Sequence, residues 1–220
     1  MPRRRRSVHA GVVYHVINRG NDRKQLFFKP ADYLAFLALL VDGLRHAQVE
    51  VLAYCLMPNH WHLVLCPKGE RDLSKYLAWV TNTHAKRYRE HYHTRGFGHV
   101  YQGRFKSFAV QEDYHLLVVL RYVEANAFRA GLVERAQDWI WSSVATSPPA
   151  CAASLLSAPP IARPTDWLEI VNQRPPKTEI EQLQMSVNRE RPYGSDHWVA
   201  TKFPPPGQDK STTDKALQRG

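Results

Sequence analysis

The chain has 220 residues, a formal net charge of +10 and a pI near 9.7. This length allows one domain with a full hydrophobic core and a small appendage. The composition is 44% hydrophobic and 11% aromatic, and no apolar run approaches the roughly 20 residues that a membrane-spanning helix needs. The positive charge favours a polyanionic partner, because each phosphate neutralised by Lys or Arg releases a condensed counterion. We therefore expect a nucleic-acid partner and no membrane association.

The N-terminal residues and the cysteines bear on the cellular compartment. MPRRRRSVHAG is basic but lacks the apolar segment that a secretory signal has after its charged start, so we expect the protein to stay in the cytoplasm. Cys55, Cys66 and Cys151 are odd in number, widely spaced and without a CxxC pair. They indicate neither a disulfide framework nor a zinc knuckle, and we expect reduced thiols that lie mostly in the core.

The first third of the chain contains strand and helix patterns separated by turn residues. β-branched and aromatic residues mark the strands, whereas apolar residues at helical spacing mark the helix. Two arginines, Arg19 and Arg23, flank the first turn. The predicted elements are a strand at 12–20, a turn at Gly20-Asn21, a helix at 31–47 after Pro30, and two adjacent antiparallel strands at 49–57 and 60–66.

The middle of the chain continues the mixed pattern. The predicted elements are a long helix from its N-cap Asp72 to about Tyr92, a strand at 99–110, and a helix that Glu112 and Asp113 open and that runs to Gly131. The resulting order is strand, helix, strand, strand, helix, strand, helix. It is not the regular βαβ alternation of a doubly wound parallel fold. We expect an α+β fold, with helices packed on one face of a mostly antiparallel sheet.

The composition predicts four segments. We expect residues 1–146 to form the main domain. Residues 147–164 are rich in Pro, Ala and Ser, which is typical of a linker or an irregular surface excursion. A small helical module is predicted at 165–202, and 203–220 are predicted to be a disordered tail. Within the module, helical patterns occur at 166–171 and 179–189, and Gly194-Ser195-Asp196 is expected to cap a further helix.

The sharpest local feature is the pair His60 and His62 inside an apolar strand. Alternate strand residues point to the same side of a sheet, so both imidazoles project together while Trp61 faces the other way. Such a pair, about 6 to 7 Å apart along a strand, can converge on one cation. The alternative is two hydrogen-bonded surface histidines. A second pair, His91 and His93, lies at a polar helix end and is expected to face solvent or DNA.

The helix after Asp113 carries two stripes. His115, Val119, Tyr122 and Asn126 share one stripe at i, i+4, i+7 and i+11. Tyr122 is therefore expected beside the buried face, and the amide oxygen of Asn126, one turn further on, could complete a metal site. The alternative is a tyrosine at the core edge and an asparagine that frays the helix end. The neighbouring stripe, expected to face the core, is Leu116, Leu120, Val123 and Ala127.

Basic residues near the predicted strands are candidate DNA contacts. Arg104 and Lys106 lie two apart on a predicted strand, so they should point the same way and could follow a DNA backbone; a solvated strand face is the alternative. The four arginines at the N-terminus form an arm of the kind that reaches into a groove, or a tail without a specific role. The predicted DNA contacts are Arg3, Arg4, Arg5, Arg6, Arg19, Arg23, Arg104 and Lys106.

Several strings resemble the one-tyrosine transposases of the HUH superfamily. MPNHWHLVL is similar to their HUH motif region, and RYVEANAFRAGLV is similar to their tyrosine-bearing helix. YHVINRGN, VYQGRFKS and RPYGSD are similar to the REP-associated branch, named for repeated extragenic palindromes. The combination is more specific than any one piece. The sequence departs from the family at Ala127, where many relatives have proline, and at Trp61, which is larger than the residue often found between the histidines.

The resemblance implies both a fold and an activity. It implies a ferredoxin-like or RRM-like HUH nuclease core that cleaves and rejoins single-stranded DNA. It also implies that His60, His62 and Asn126 hold one divalent ion, Mg²⁺ or Mn²⁺, at the scissile phosphate. Tyr122 would be the nucleophile that forms a 5′-phosphotyrosine and frees a 3′-hydroxyl.

The implied partner is a single-stranded DNA hairpin of the REP type, bound by a monomer or a homodimer. Two other functions remain open. One is a domesticated DNA-binding protein without cleavage, and the other is a metal-dependent nucleic-acid hydrolase in which Tyr122 is only structural.

Overall fold

The structure, a computed structural model, describes residues 8–96 and 98–204. The predicted arm, Arg3 to Arg6, therefore lies outside the described residues. Within them, the strands pair in the order β2–β3–β1–β4, and every pairing is antiparallel. The strands are β1 (Val13–Arg19), β2 (Val49–Met57), β3 (His60–Pro67) and β4 (Lys106–Val110).

Helices connect and follow these strands. They are α1 (Pro30–Gly43), α2 (Asp72–His91), α3 (Tyr114–Glu124), α4 (Asn126–Arg129), α5 (Trp167–Asn172), α6 (Lys177–Arg189) and α7 (Asp196–Lys202). The order β1–α1–β2–β3–α2–β4 with this strand arrangement is the ferredoxin-like split βαβ pattern. The predicted α+β fold is confirmed. None of the described helices is both long and apolar enough to cross a membrane.

The helices cover both faces of the sheet, so the prediction of helices on one face is wrong. α1 and α2 pack on the face that carries Trp61 and Leu63, whereas α3 packs on the opposite face against Val64 and Phe108. The reason lies in β2 and β3, which are apolar along nearly their whole length and are buried on both sides. A strand of that kind needs cover on each face. Consequently α3 lies on the same face as the two strand histidines.

Several element boundaries differ from the predicted ones. The helix predicted at 31–47 ends at Gly43, because the next backbone N–H groups bond to carbonyls three residues back. Asp72 is the first residue of α2 and not its N-cap, a position that Arg71 occupies. The strand predicted at 99–110 begins only at Lys106. Tyr101 still bridges to Gly20, and the chain bends between these two points.

The helix predicted to run to Gly131 is interrupted at Ala125. Ala125 has φ −81° and ψ 1°, and the side-chain Nδ2 of Asn126 donates to the carbonyl of Tyr122 at 3.2 Å. An asparagine side chain that bonds to nearby backbone competes with the helical hydrogen bonds. The predicted core stripe is confirmed, because Leu116, Leu120, Val123 and Ala127 are all buried. Asp113 caps α3 by accepting from the backbone N–H of His115 at 2.8 Å.

The division into a main domain, a linker and a helical module stays a prediction. Within 147–164, Leu155 is buried in the core that α1 contributes to, and Ser157 N–H donates to the carbonyl of Val51 at 2.8 Å. α5 and α6 pack on the α3 side of the sheet through buried Trp167 and Leu183. Ser195 caps α7, as predicted, by accepting from the backbone N–H of Trp198. Cys55, Cys66 and Cys151 are unpaired, and the first two are buried, as expected.

A buried carboxylate ties α3 to the chain that follows it. Glu124 is 1% exposed and accepts from Trp167 Nε1 at 2.7 Å and from Arg163 Nη2 at 2.9 Å. Ser143 Oγ adds a third hydrogen bond at 2.8 Å. The ion pair and the hydrogen bonds of this carboxylate offset the free-energy cost of burying it.

We expect Glu124→Ala to lower the free energy of unfolding by about 3 kcal/mol, because it leaves a guanidinium and an indole N–H without their buried partner. Urea denaturation followed by circular dichroism measures the change. The exposed Glu134 provides the control, since Glu134→Ala should alter stability by less than about 0.5 kcal/mol. Equal effects of the two substitutions would contradict the role of Glu124.

Candidate active site

β3 and α3 bring together the three side chains on which the sequence analysis centred. The ring centroids of His60 and His62 lie 5.1 Å apart on the sheet face that α3 covers. The Tyr122 ring is 5.8 Å from the His62 ring and nearly perpendicular to it, at 80°. His62 is 2% exposed, whereas His60 and Tyr122 are partly exposed. The predicted nucleophile and the predicted histidine pair therefore share one site.

A third histidine, which the sequence analysis missed, completes the cluster. His15 of β1 lies diagonally across from His62, because the β1–β3 register places Ile17 opposite His62. The two imidazole rings stack at 5.1 Å, and His15 Nε2 lies 2.9 Å from His62 Nδ1. The Tyr122 ring is 6.1 Å from the His15 ring. The available signal was the alternation of His15, Ile17 and Arg19, which gives these residues one face of the strand.

His60 and His62 each have one ring nitrogen in a hydrogen bond and one ring nitrogen without a partner among the described residues. His60 Nδ1 donates to Asn59 Oδ1 at 2.6 Å, which leaves a lone pair on His60 Nε2. His62 Nδ1 is engaged with His15. Throughout the described ranges, neither Nε2 has a hydrogen-bond partner. An imidazole held through one nitrogen presents the other to a cation.

Burial keeps these imidazoles uncharged at neutral pH. It lowers the pKa of His15 to about 3. Burial, with a contribution from the neighbouring charge of Arg19, lowers the pKa of His60 to about 4. The pKa of His62 is held well below its usual range, first by burial and then by its neighbours His60 and His15. A neutral ring is the form that binds a metal ion.

Asn126 supplies an oxygen donor one helical turn beyond Tyr122. Its Nδ2 is engaged with the Tyr122 carbonyl, and its Oδ1 has no hydrogen-bond partner in the part of the chain that the structure describes. Two imidazole nitrogens and an amide oxygen are suitable ligands for a divalent ion and leave positions for phosphate and water. Among the described residues, no group of three His, Cys, Asp or Glu side chains is placed to hold a metal ion, and the predicted ligand set combines two histidines with Asn126.

Arg129 is a second residue that the sequence analysis missed. Its guanidinium carbon lies 4.5 Å from the centroid of the Tyr122 ring, which is a cation–π distance. The interruption at Ala125 starts a new helix, α4, and Arg129 ends it. This contact places a cation beside the tyrosine.

Three of the predicted DNA contacts line one cleft. Arg19, Arg104 and Lys106 all border a cavity of ≈ 290 Å³. The cavity lies next to the histidines, because Arg19 is in register with His60. Arg104 precedes β4, so the argument from strand alternation fails for it, although it does reach the same cleft as Lys106. We name this cavity the basic cleft.

Other predicted residues lie elsewhere. Arg23 is exposed on the turn after β1, where its carbonyl accepts from Asn59 Nδ2 at 3.2 Å, and it does not border the basic cleft. His91 is at the end of α2, with its Nε2 2.8 Å from Lys29 Nζ. His93, beyond that helix end, has a positive φ of 51°. The second histidine pair is thus separate from the site.

Residues 8–126 match the family described as "Transposase IS200 like". The match spans more than half of the 220 residues and includes His15, His60, His62, Tyr122 and Asn126. The chain belongs to this family. The predicted resemblance to one-tyrosine transposases is confirmed at the level of the family.

Individual relatives of this IS200-like transposase are distant in sequence, but their alignments with this chain cover most of each relative's length. The REP-associated tyrosine transposase of Escherichia coli (strain K12) is 24% identical over 141 residues, which are 64% of this chain and 80% of the relative. A Haemophilus influenzae relative is 24% identical over 151 residues, covering 63% and 83%. A solved REP-associated tyrosine transposase bound to a REP hairpin has a TM-score of 0.52 at 23% identity, covering 65% of this chain and 82% of that one. That structure shares the fold.

Proposed function

We propose that this IS200-like transposase is a metal-dependent single-stranded DNA endonuclease and strand transferase. It cleaves and rejoins DNA at hairpin-forming repeated extragenic palindromes through a 5′-phosphotyrosine. The observation that carries the proposal is the position of Tyr122, with its ring 5.8 Å from that of His62 and beside two open imidazole nitrogens. The hairpin substrate is supported by the names of the E. coli relative and of the solved hairpin complex.

Three residues would hold the divalent ion, Mg²⁺ or Mn²⁺: His60, His62 and Asn126. The ion, when bound, polarises the scissile phosphate and neutralises the charge that develops on it. His15 has a positioning role in this scheme. If His15 Nε2 accepts from His62 Nδ1–H, the lone pair of His62 stands on Nε2, where it serves as a ligand.

Tyr122 carries out the covalent step. Its phenolic oxygen forms a bond to phosphorus and gives its proton to solvent, while the bond from phosphorus to the 3′ oxygen breaks and that oxygen takes up a proton. The product is a 5′-phosphotyrosine and a free 3′-hydroxyl. Because the phosphodiester energy is kept in the new linkage, a second 3′-hydroxyl can reverse the step and join a different strand without ATP. Arg129 holds the ring during both steps.

The basic cleft supports the proposed preference for a single strand. Arg19, Arg104 and Lys106 offer three cations beside the histidines, and these attract the phosphates that flank the cut. A single strand can bend from this cleft to Tyr122, whereas a duplex is stiff over that distance.

Covalent trapping tests the proposal. We expect an end-labelled oligonucleotide with a hairpin and an unpaired flank, incubated with Mn²⁺, to form a protein–DNA adduct that survives denaturing electrophoresis. Adding EDTA to the reaction should prevent adduct formation. A blunt duplex of the same sequence should give at least about tenfold less adduct than the hairpin. Binding without any adduct would favour a DNA-binding protein that does not cleave. Cleavage without an adduct would favour a hydrolase in which Tyr122 is structural.

A further inference from the structure

Three amide side chains border the basic cleft in addition to its cations. Asn18 is already engaged, because its Nδ2 donates to the carbonyl of Gly103 at 3.4 Å and its Oδ1 accepts from the backbone N–H of Arg19 at 2.9 Å. The other two are Gln102 and Asn188. Gln102 lies between the isolated bridge at Tyr101 and the start of β4, and Asn188 lies near the end of α6. Both are exposed, and neither side chain has a hydrogen-bond partner within the described ranges. Two carboxamides from distant parts of the chain, both without a side-chain hydrogen-bond partner in the described ranges, therefore border one cavity.

Apolar side chains form the other walls of the cleft. Ile17 and Val187 line it, and both are partly exposed. Ile17 is in register with His62 on one side and with Lys106 on the other. The floor of the cleft is thus a continuation of the sheet face on which the histidines stand. A DNA strand that is bound at Tyr122 and continues across β1 of the protein enters this cleft directly.

We propose that the basic cleft holds one unpaired nucleotide beside the scissile phosphate and that Gln102 and Asn188 read its base. This inference rests on the proposed function and adds a specificity site to it. Cations bind the phosphate, apolar side chains contact the face of the base, and carboxamides pair with its edge. A carboxamide presents a donor next to an acceptor, which matches the adjacent amino group and ring nitrogen of adenine. The volume of ≈ 290 Å³ is at the small end of ligand pockets and admits a single nucleotide.

α6, which carries Asn188, contacts α3 through an ion pair, a hydrogen bond and buried apolar packing. Glu179 of α6 forms an ion pair with Arg121 of α3 and accepts from the hydroxyl of Tyr114 at 3.1 Å. Leu183 is buried between the same elements. Asn188 lies beyond residues 8–126, the part of the chain that matches the family. The base preference is therefore set partly by a segment outside the family match.

Selection from an oligonucleotide library tests the inference. The probe is a DNA hairpin with four randomised unpaired residues on each side, bound by the full chain in EDTA and then sequenced. We expect the wild-type protein to enrich adenine at one flank position by about tenfold. Asn188→Ala and Gln102→Ala should each reduce that enrichment to about threefold or less. Gln184→Ala changes an exposed amide of the same helix that does not line the cleft, and it should retain the wild-type preference.

The outcomes separate the two proposals. Loss of the preference in both cleft variants, with normal melting temperatures and a normal Gln184→Ala variant, supports the cleft as the reading site. A wild-type protein that binds the hairpin with no base preference, or a preference that survives both substitutions, overturns the inference and leaves the proposed function standing. Absence of any binding to hairpin single strands overturns both.

Discussion

Tyr122→Phe should abolish covalent attachment of DNA while binding to a hairpin stays within a few fold of wild type. The phenylalanine ring keeps the contacts with the His62 and His15 rings and with the Arg129 guanidinium, and only the reactive hydroxyl is lost. Removal of a nucleophile typically costs about 10⁴-fold or more in rate. Denaturing electrophoresis of trapped adducts, together with fluorescence anisotropy of a labelled hairpin, measures both quantities.

Two other tyrosines provide controls for that substitution. The hydroxyl of Tyr114 is hydrogen-bonded to Glu179, and the hydroxyl of Tyr101 is hydrogen-bonded to buried His84 at 2.7 Å. Neither contacts the histidine cluster, so Tyr114→Phe should form the adduct at the wild-type level. If Tyr122→Phe still forms the adduct, one of these two residues must be the nucleophile and the site assigned here is wrong.

His60→Ala and His62→Ala should each remove metal-dependent cleavage, with a loss of at least about 100-fold at saturating hairpin DNA. Each substitution deletes one imidazole of the ligand set, and water does not restore the fixed geometry. Cleavage measured across a Mn²⁺ titration shows whether the loss arises from metal affinity. His60 is partly exposed, so the His60→Ala protein should also keep its melting temperature.

The second histidine pair is the matched control. His91 is the last residue of α2 and contacts Lys29, His93 lies just beyond the helix, and neither borders the site. His91→Ala and His93→Ala should therefore cleave at nearly the wild-type rate. Comparable losses from both pairs would show that the metal does not bind at β3.

Local patterns were sufficient to predict most elements of the fold but not their arrangement. The strands and helices follow from apolar spacing and turn residues, which depend on neighbours in the sequence. The placement of helices on both faces depends on the burial of β2 and β3 on two sides. The apolar runs VLAYCLM and HLVLC carried that information, but the prediction used only their ability to form strands. The interruption at Ala125 arises from one hydrogen bond of Asn126, which no periodicity indicates.

The candidate site was predicted where its residues are close in sequence and missed where pairing brings them together. His60, His62 and Tyr122 stand out in local motifs. His15 does not, because a single histidine in an apolar strand is ordinarily a core residue, and its contact with His62 exists only through the β1–β3 register. Arg129 and Asn188 reach the site through the turn at Ala125 and through α6 packing on α3. These contacts follow from tertiary structure alone.

The burial of Glu124 has a consequence for how this chain can change over evolutionary time. The carboxylate lies two residues after Tyr122, and its partners Arg163 and Trp167 lie beyond the part that matches the family. A lineage that replaces or loses those partners leaves a buried carboxylate unpaired two residues from Tyr122, so we expect selection against intermediates with only one of the changes. We expect the acid at position 124 to be inherited together with Arg163 and Trp167. Homologues that end before this segment should have an apolar or differently paired residue in its place.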